Sequence, residues 1–93
     1  MKTLKTDQRL LTLKGEVLKE DNTEITVGLI LSNILSNSSV NPHRSYQLAK
    51  AIATNDTVEL KAEDILFIRE ALNRQNHLGS LYTGQIIEVL ESL

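Results

Sequence analysis

Cysteine is absent from the sequence, which removes disulfides, thiol nucleophiles and cysteine-ligated zinc from consideration together. Aromatic residues are nearly absent too: Phe67, Tyr46 and Tyr82 are 3% of the chain. The interior must therefore be filled by Leu, Ile, Val and Ala, a composition that suits helix-on-helix packing and offers few of the rigid anchors found in tight interfaces. Proline occurs once, and the four glycines, Gly15, Gly28, Gly79 and Gly84, are isolated, so no glycine-rich loop is present to cradle a phosphate. No apolar run approaches the roughly 18 residues of a membrane helix. The opening Met1-Lys-Thr-Leu-Lys-Thr-Asp7 has lysines with no apolar stretch behind them, so the expectation is a cytoplasmic protein without membrane attachment. On that reading the glycosylation sequons at Asn37 and Asn55 are chance matches.

Neither sign of charge dominates. Ten basic and twelve acidic side chains leave a formal charge of -2, too little to set up a strong field over the whole molecule. Lys2, Lys5, Arg9, Lys14 and Lys19 outnumber Asp7 and Glu16 near the N-terminus, while Asp56, Glu59, Glu63, Asp64, Glu88 and Glu91 come later. Solvating charge on an acidic surface accounts for both groups.

What is present is an ordinary globular chain: 93 residues, 41% of them hydrophobic, enough for one modest core and too short for two. A single domain over 1–93 is expected, with residues 1–8 as a flexible lead-in. A domain this small buries only roughly 60 to 65% of its unfolded surface, so a symmetric partner would be a natural supplement to its stability.

The spacing of apolar residues predicts the elements. From Arg9 to Leu18, Leu11, Leu13 and Val17 alternate with Thr12, Lys14 and Glu16, interrupted by Gly15, which predicts a half-buried strand with a kink. Lys19 to Thr23 reads as a turn in which Asp21 and Asn22 tolerate left-handed backbone, and Glu24 to Thr26 completes a hairpin. Val27, Ile30, Leu31, Ile34 and Leu35 recur at helical spacing up to Asn37. Asn41-Pro42 signals a second helix start through an asparagine cap and a first-turn proline; it buries Leu48, Ala49 and Ile52. Thr57 to Leu60 is a short strand, expected to pair near Leu13. Glu63 and Asp64 open a third helix and complement its dipole. Its run Ile65-Leu-Phe-Ile68 spans most of the circumference, which predicts the central element of the core. After Gly79, Ser80 caps a last helix with the stripe Thr83, Ile86, Ile87, Leu90 and Leu93. The predicted fold is mainly α within the α+β class: about four helices round an aliphatic core, with a small N-terminal β-hairpin or three-stranded sheet.

No catalytic constellation emerges. His43 and His77, the only histidines, lie in polar segments and read as solvated. Asp56, Glu59, Glu63 and Asp64 lack the ligand alternation and glycine of a calcium loop. No metal, cofactor or enzymatic activity is therefore expected. Gly28 and Gly84 interrupt helical patterns, where each costs about 1 kcal/mol against Ala, and so suggest close helix approach. Gly84, Ile87, Leu90 and Leu93 form the candidate interface of a self-associating, protein-binding domain. A short polar turn joins the last two helices as in a helix-turn-helix, but Ser80 to Leu93 contains no Lys or Arg to contact phosphates or base edges. A DNA-binding regulator is thus the weaker alternative, and a small-molecule or nucleotide pocket between helices a third.

The layout of Leu11-Thr-Leu-Lys-Gly15, Ile25-Thr-Val27, Leu48-Ala-Lys-Ala-Ile52, Val58-Glu-Leu60, Glu63-Asp-Ile65, Ile68-Arg-Glu70 and Gly84-Gln-Ile86 resembles that of small uncharacterised proteins encoded by bacteriophages and prophages, and the resemblance extends over most of the chain. The resemblance implies a phage accessory protein in the host cytoplasm, either a helper of particle assembly or a factor directed at a host or defence target. These are core and cap positions, and no site is carried over from them.

Overall fold

A computed structural model describes residues 1–38, 41–75 and 78–93. The element order is β1 (Lys2–Lys5), β2 (Lys19–Glu20), β3 (Thr23–Glu24), α1 (Val27–Ser36), α2 (Pro42–Thr54), β4 (Thr57–Leu60), α3 (Ala62–Arg74) and α4 (Ser80–Glu91). This is the mainly helical α+β architecture that the periodicities predict, with two small antiparallel sheets.

The first correction concerns the N-terminus. Residues 1–8 are not a loose lead-in, because β1 pairs with β4 in the register Lys2↔Leu60 to Lys5↔Thr57, and the Thr6 amide extends the ladder to the Asp56 carbonyl at 2.8 Å. Thr57 to Leu60 therefore pairs with β1 and not near Leu13. The segment around β1 alternates around one apolar residue, Leu4, too sparse a pattern to announce a strand. Leu4 is nonetheless fully buried, as is Leu60.

The second correction is one of face. The Arg9 to Leu18 run is two arms folded back on each other through a Leu11↔Val17 bridge, with Gly15 at φ 90° in the turn. Leu10 points inward and is buried, whereas Leu11, Leu13 and Val17 point out. The doublets Leu10-Leu11 and Val17-Leu18 allow either face, and a shift by one residue exchanges them. The Leu10 amide reaches the Ile25 carbonyl, and the Leu18 and Ile25 amides return to Leu10 and Leu18 at 2.9 Å each. The β2–β3 turn is as expected: Asp21 (φ 51°) and Asn22 (φ 66°) are both left-handed, the conformation a two-residue hairpin needs to match strand twist.

Helix α1 is the central element. Thr26 caps it, its side chain accepting from the Leu29 amide at 3.1 Å. The Val27 and Gly28 amides donate to the carbonyls of Gln8 (2.8 Å) and Thr6 (2.9 Å), so the free amides of its first turn are satisfied by the segment after β1. Val27, Ile30, Leu31 and Leu35 enter the core. Helix α3, expected in that central place, buries only Ile68 and Leu72 and leaves Leu66 62% exposed. Four consecutive apolar residues wrap a helix, but neighbours cover α3 on one side only.

Two caps differ from expectation. Asn41 precedes Pro42 in left-handed backbone (φ 45°) and makes no side-chain cap bond. Gly79, not Ser80, is the N-cap of α4. Helix α2 buries Ser45, Ala49 and Ile52, with Leu48 half-buried. Among the described residues no buried side-chain nitrogen or oxygen lacks a hydrogen-bond partner.

Candidate functional site

The most exposed feature of the apolar inventory is the arm formed by residues 9–18. At its tip the Thr12 amide donates to the Glu16 carbonyl (2.7 Å) and the Gly15 amide to the Thr12 carbonyl (2.9 Å). The Glu16 amide also donates to Thr12 Oγ1 at 3.2 Å. This bonded turn holds Leu13 in solvent at 93% exposure, beside Leu11 at 39% and Val17 at 37%. The arm is anchored at its root by a side chain that imitates a strand: Gln85 Oε1 on α4 accepts from the Leu11 amide at 2.8 Å, and Gln85 Nε2 donates to the Leu11 carbonyl at 2.7 Å. Beside the anchor lies a groove of about 290 Å³ between Gln8–Leu11 and α4, walled by Leu11, Gln85, Glu88 and Val89.

A second depression, of about 370 Å³, lies between Thr6-Asp7, the start of α1 and residues 52–56. Its hydroxyl and side-chain amide groups are engaged within the chain, while the carboxylates of Asp7 and Asp56 stand exposed on its rim. Thr6 Oγ1 donates to the Asn55 carbonyl, Ser32 Oγ to Leu29 (3.1 Å), Thr54 Oγ1 to Lys50 (2.7 Å) and Asn55 Nδ2 to Ala51 (2.8 Å). Among the described residues, the hydroxyls of Thr6, Ser32 and Thr54 in this depression donate to backbone carbonyls and not to a carboxylate.

The expected interface residues sit differently from the sequence reading. Leu90 is 3% exposed and belongs to the core, and Ile87 and Leu93 pack half-buried against it. The α4 stripe is thus largely consumed within the chain. Gly84 is half-buried with open space where a Cβ would stand, so no close approach explains it. Gly28 does mark a close approach, a Cβ there lying 2.8 Å from the Thr6 carbonyl oxygen, although the neighbour is a loop and not a helix.

His43 is exposed on the first turn of α2, and His77 lies outside the described residues. Of the four acidic candidates, Asp64 is committed twice. Its Oδ2 accepts from the Lys61 amide at 3.0 Å and its Oδ1 from Arg44 at 2.9 Å, while Arg44 lies 4.6 Å from the Phe67 ring centroid. Burial acts to raise the Asp64 pKa, but the Lys61 amide, the Arg44 hydrogen bond and the charges of Arg44 and Lys61 together hold it below its ordinary value. No group of three or more His, Asp or Glu among the described residues is placed to hold a metal ion. Of the N-terminal basic residues, Arg9 is paired with Glu24, while Lys2 and Lys5 lie on β1, Lys14 at the arm tip and Lys19 on β2. No helix among the described residues is long and apolar enough to cross a membrane.

Sequence reasoning missed Leu13 as a site because alternation alone assigned it to the inner face. The available signal was Gly15 flanked by Lys14 and Glu16, a turn composition inside what otherwise reads as a strand. Comparison with protein-family models, curated proteins and solved structures finds no match to the chain.

Proposed function

We propose that this chain is a non-enzymatic protein-binding module of the phage accessory class, and that the arm carrying Leu13 makes the contact. The observation that supports the reading is a fully solvated leucine held on a hydrogen-bonded turn. An apolar side chain carried in water contributes nothing to the fold, and the bonded backbone turn that carries it lowers the entropic cost of ordering the arm on docking. Full burial of one leucine contributes about 1.5 to 3 kcal/mol, enough to anchor a contact whose flanks are Leu11 and Val17.

The test is a photo-crosslinking amino acid at position 13, with exposed Gln47 as control position, in protein expressed in bacterial cells. The expected result is a discrete adduct from position 13 only, identified by mass spectrometry. Its complex, reassembled from purified proteins, should be weakened at least tenfold by Leu13→Ser. No adduct, or a complex indifferent to Leu13→Ser, would remove the reading.

A further inference from the structure

We infer that the peptide bond between Lys14 and Gly15 is a modification site: a lysine-selective endopeptidase cuts the folded chain there, and the two pieces, residues 1–14 and 15–93, stay together as one folded unit. None of this depends on Leu13 having a partner.

The cut is placed by where the lysines sit. An endopeptidase takes its substrate in extended form, so a folded chain is cut where the backbone opens locally at small cost, as at an exposed loop tip. Lys14 stands on such a tip. Residues 13–16 are all exposed, and Gly15 turns the chain at φ 90°. The hydrogen bonds that close the turn run from Thr12 to Gly15 and Glu16 alone. Straightening it breaks those bonds and uncovers no core residue, since Leu13 is already in water. The other lysines lack this freedom. Lys2 and Lys5 are paired in β1, Lys19 in β2, and Lys50 lies within α2, while the Lys61 amide is bonded to Asp64 at the start of α3. Hydrolysis needs only the protease and water: the C–N bond breaks, the Lys14 carbonyl carbon gains the hydroxyl and ends as a carboxylate, and the Gly15 nitrogen takes up the proton and leaves as an amine.

The pieces hold together because residues 1–11 are bonded to parts of the chain beyond the cut. β1 pairs with β4, and the Thr6 amide donates to the Asp56 carbonyl. The Thr6 and Gln8 carbonyls receive the first amides of α1, and the Leu10 amide donates to Ile25. Gln85 holds both backbone groups of Leu11. Leu4 and Leu10 are 0% and 1% exposed, so the short piece also carries two leucines of the core. Cleavage after Lys14 touches none of these contacts. It does end the turn that carries Leu13, so the two-piece form keeps the core and gives up the fixed arm tip.

Limited digestion of the full chain with a lysine-selective serine endopeptidase in native buffer, read by mass spectrometry, tests the site. Cleavage after Lys14 should be at least tenfold faster than after any other lysine, and Lys14→Gln should abolish the early cut. Size-exclusion chromatography of the nicked protein should then return residues 1–14 and 15–93 in one peak at the volume of the uncut chain, with its helical circular dichroism retained; guanidinium should separate them. A first cut at a different lysine, no cut before global unfolding, or pieces that part in native buffer would each overturn the inference, and none of these results bears on the crosslink from position 13.

Discussion

Gly28 and Gly84 both stand inside helices, and a methyl group added to each has opposite consequences. At Gly28 the new Cβ would lie 2.8 Å from the Thr6 carbonyl oxygen and 2.9 Å from its Cβ, and the same carbonyl receives the Gly28 amide. Gly28→Ala should lose about 1 to 3 kcal/mol to overpacking, more than the roughly 1 kcal/mol of helix propensity it gains. Gly84 has nothing within 4 Å, so Gly84→Ala should gain about 0.5 to 1 kcal/mol. Urea denaturation of the two variants checks both signs. Both glycines are legible in the sequence as helix interruptions. Which of them marks a close approach is not, because the neighbour at Gly28 is a distant segment whose path no local spacing reveals. Gln85 is a similar case: it reads as an outward polar residue of α4, yet it carries the Leu11 backbone. Gln85→Ala should cost about 1 kcal/mol and speed hydrogen exchange at the Leu11 amide, measurable by NMR.

Between elements, the junction of α2 and α3 depends on a titratable group. Asp64 accepts from the amide at the start of its own helix and from Arg44 of α2, and its folded pKa is held below the ordinary carboxylate value. The stabilisation is therefore complete above the unfolded pKa of about 4 and is lost as the pH falls through the lower, folded value. Thermal melts of the native chain and Asp64→Asn should differ by about 1 kcal/mol near pH 7 and converge toward pH 2. The magnitude is modest because the Arg44 side chain is 35% exposed and water screens the pair. At this scale the sequence is informative where a pattern is local. The 3.6-residue spacing locates α1 to α4, Glu63 and Asp64 announce the start of α3, and Asp21-Asn22 reveals its turn. It is uninformative where partners decide. Leu10 against Leu11 depends on which face meets α1, and the wrapping run Ile65 to Ile68 does not say that only one side of α3 is covered.

Across the molecule, the interior is aliphatic and shared among every helix and the β1–β4 sheet, with Leu4, Leu31, Leu35, Leu60, Ile68 and Ile86 all fully buried. Total stability for a domain of this size is about 5 to 15 kcal/mol, and Leu31→Ala in the central helix should remove about 2 to 5 of it. Calorimetry should then show a marked fall in Tm, whereas Leu13→Ser should leave Tm unchanged because that side chain is already in water. A core of this kind is legible as composition, but the seat of β1 within it is not, since one leucine among lysines and threonines makes no period.

The pairing of β1 with β4 has a consequence for how the chain is made. Residues 2–5 are synthesised well before Thr57–Leu60, so Leu4 has no complete shelter until that strand has followed. The segment must wait, solvated by its lysines, through the synthesis of the fifty or so residues in between before the ladder can close. A chain truncated after Asn55 should accordingly leave its beginning unfolded, even though that beginning is intact.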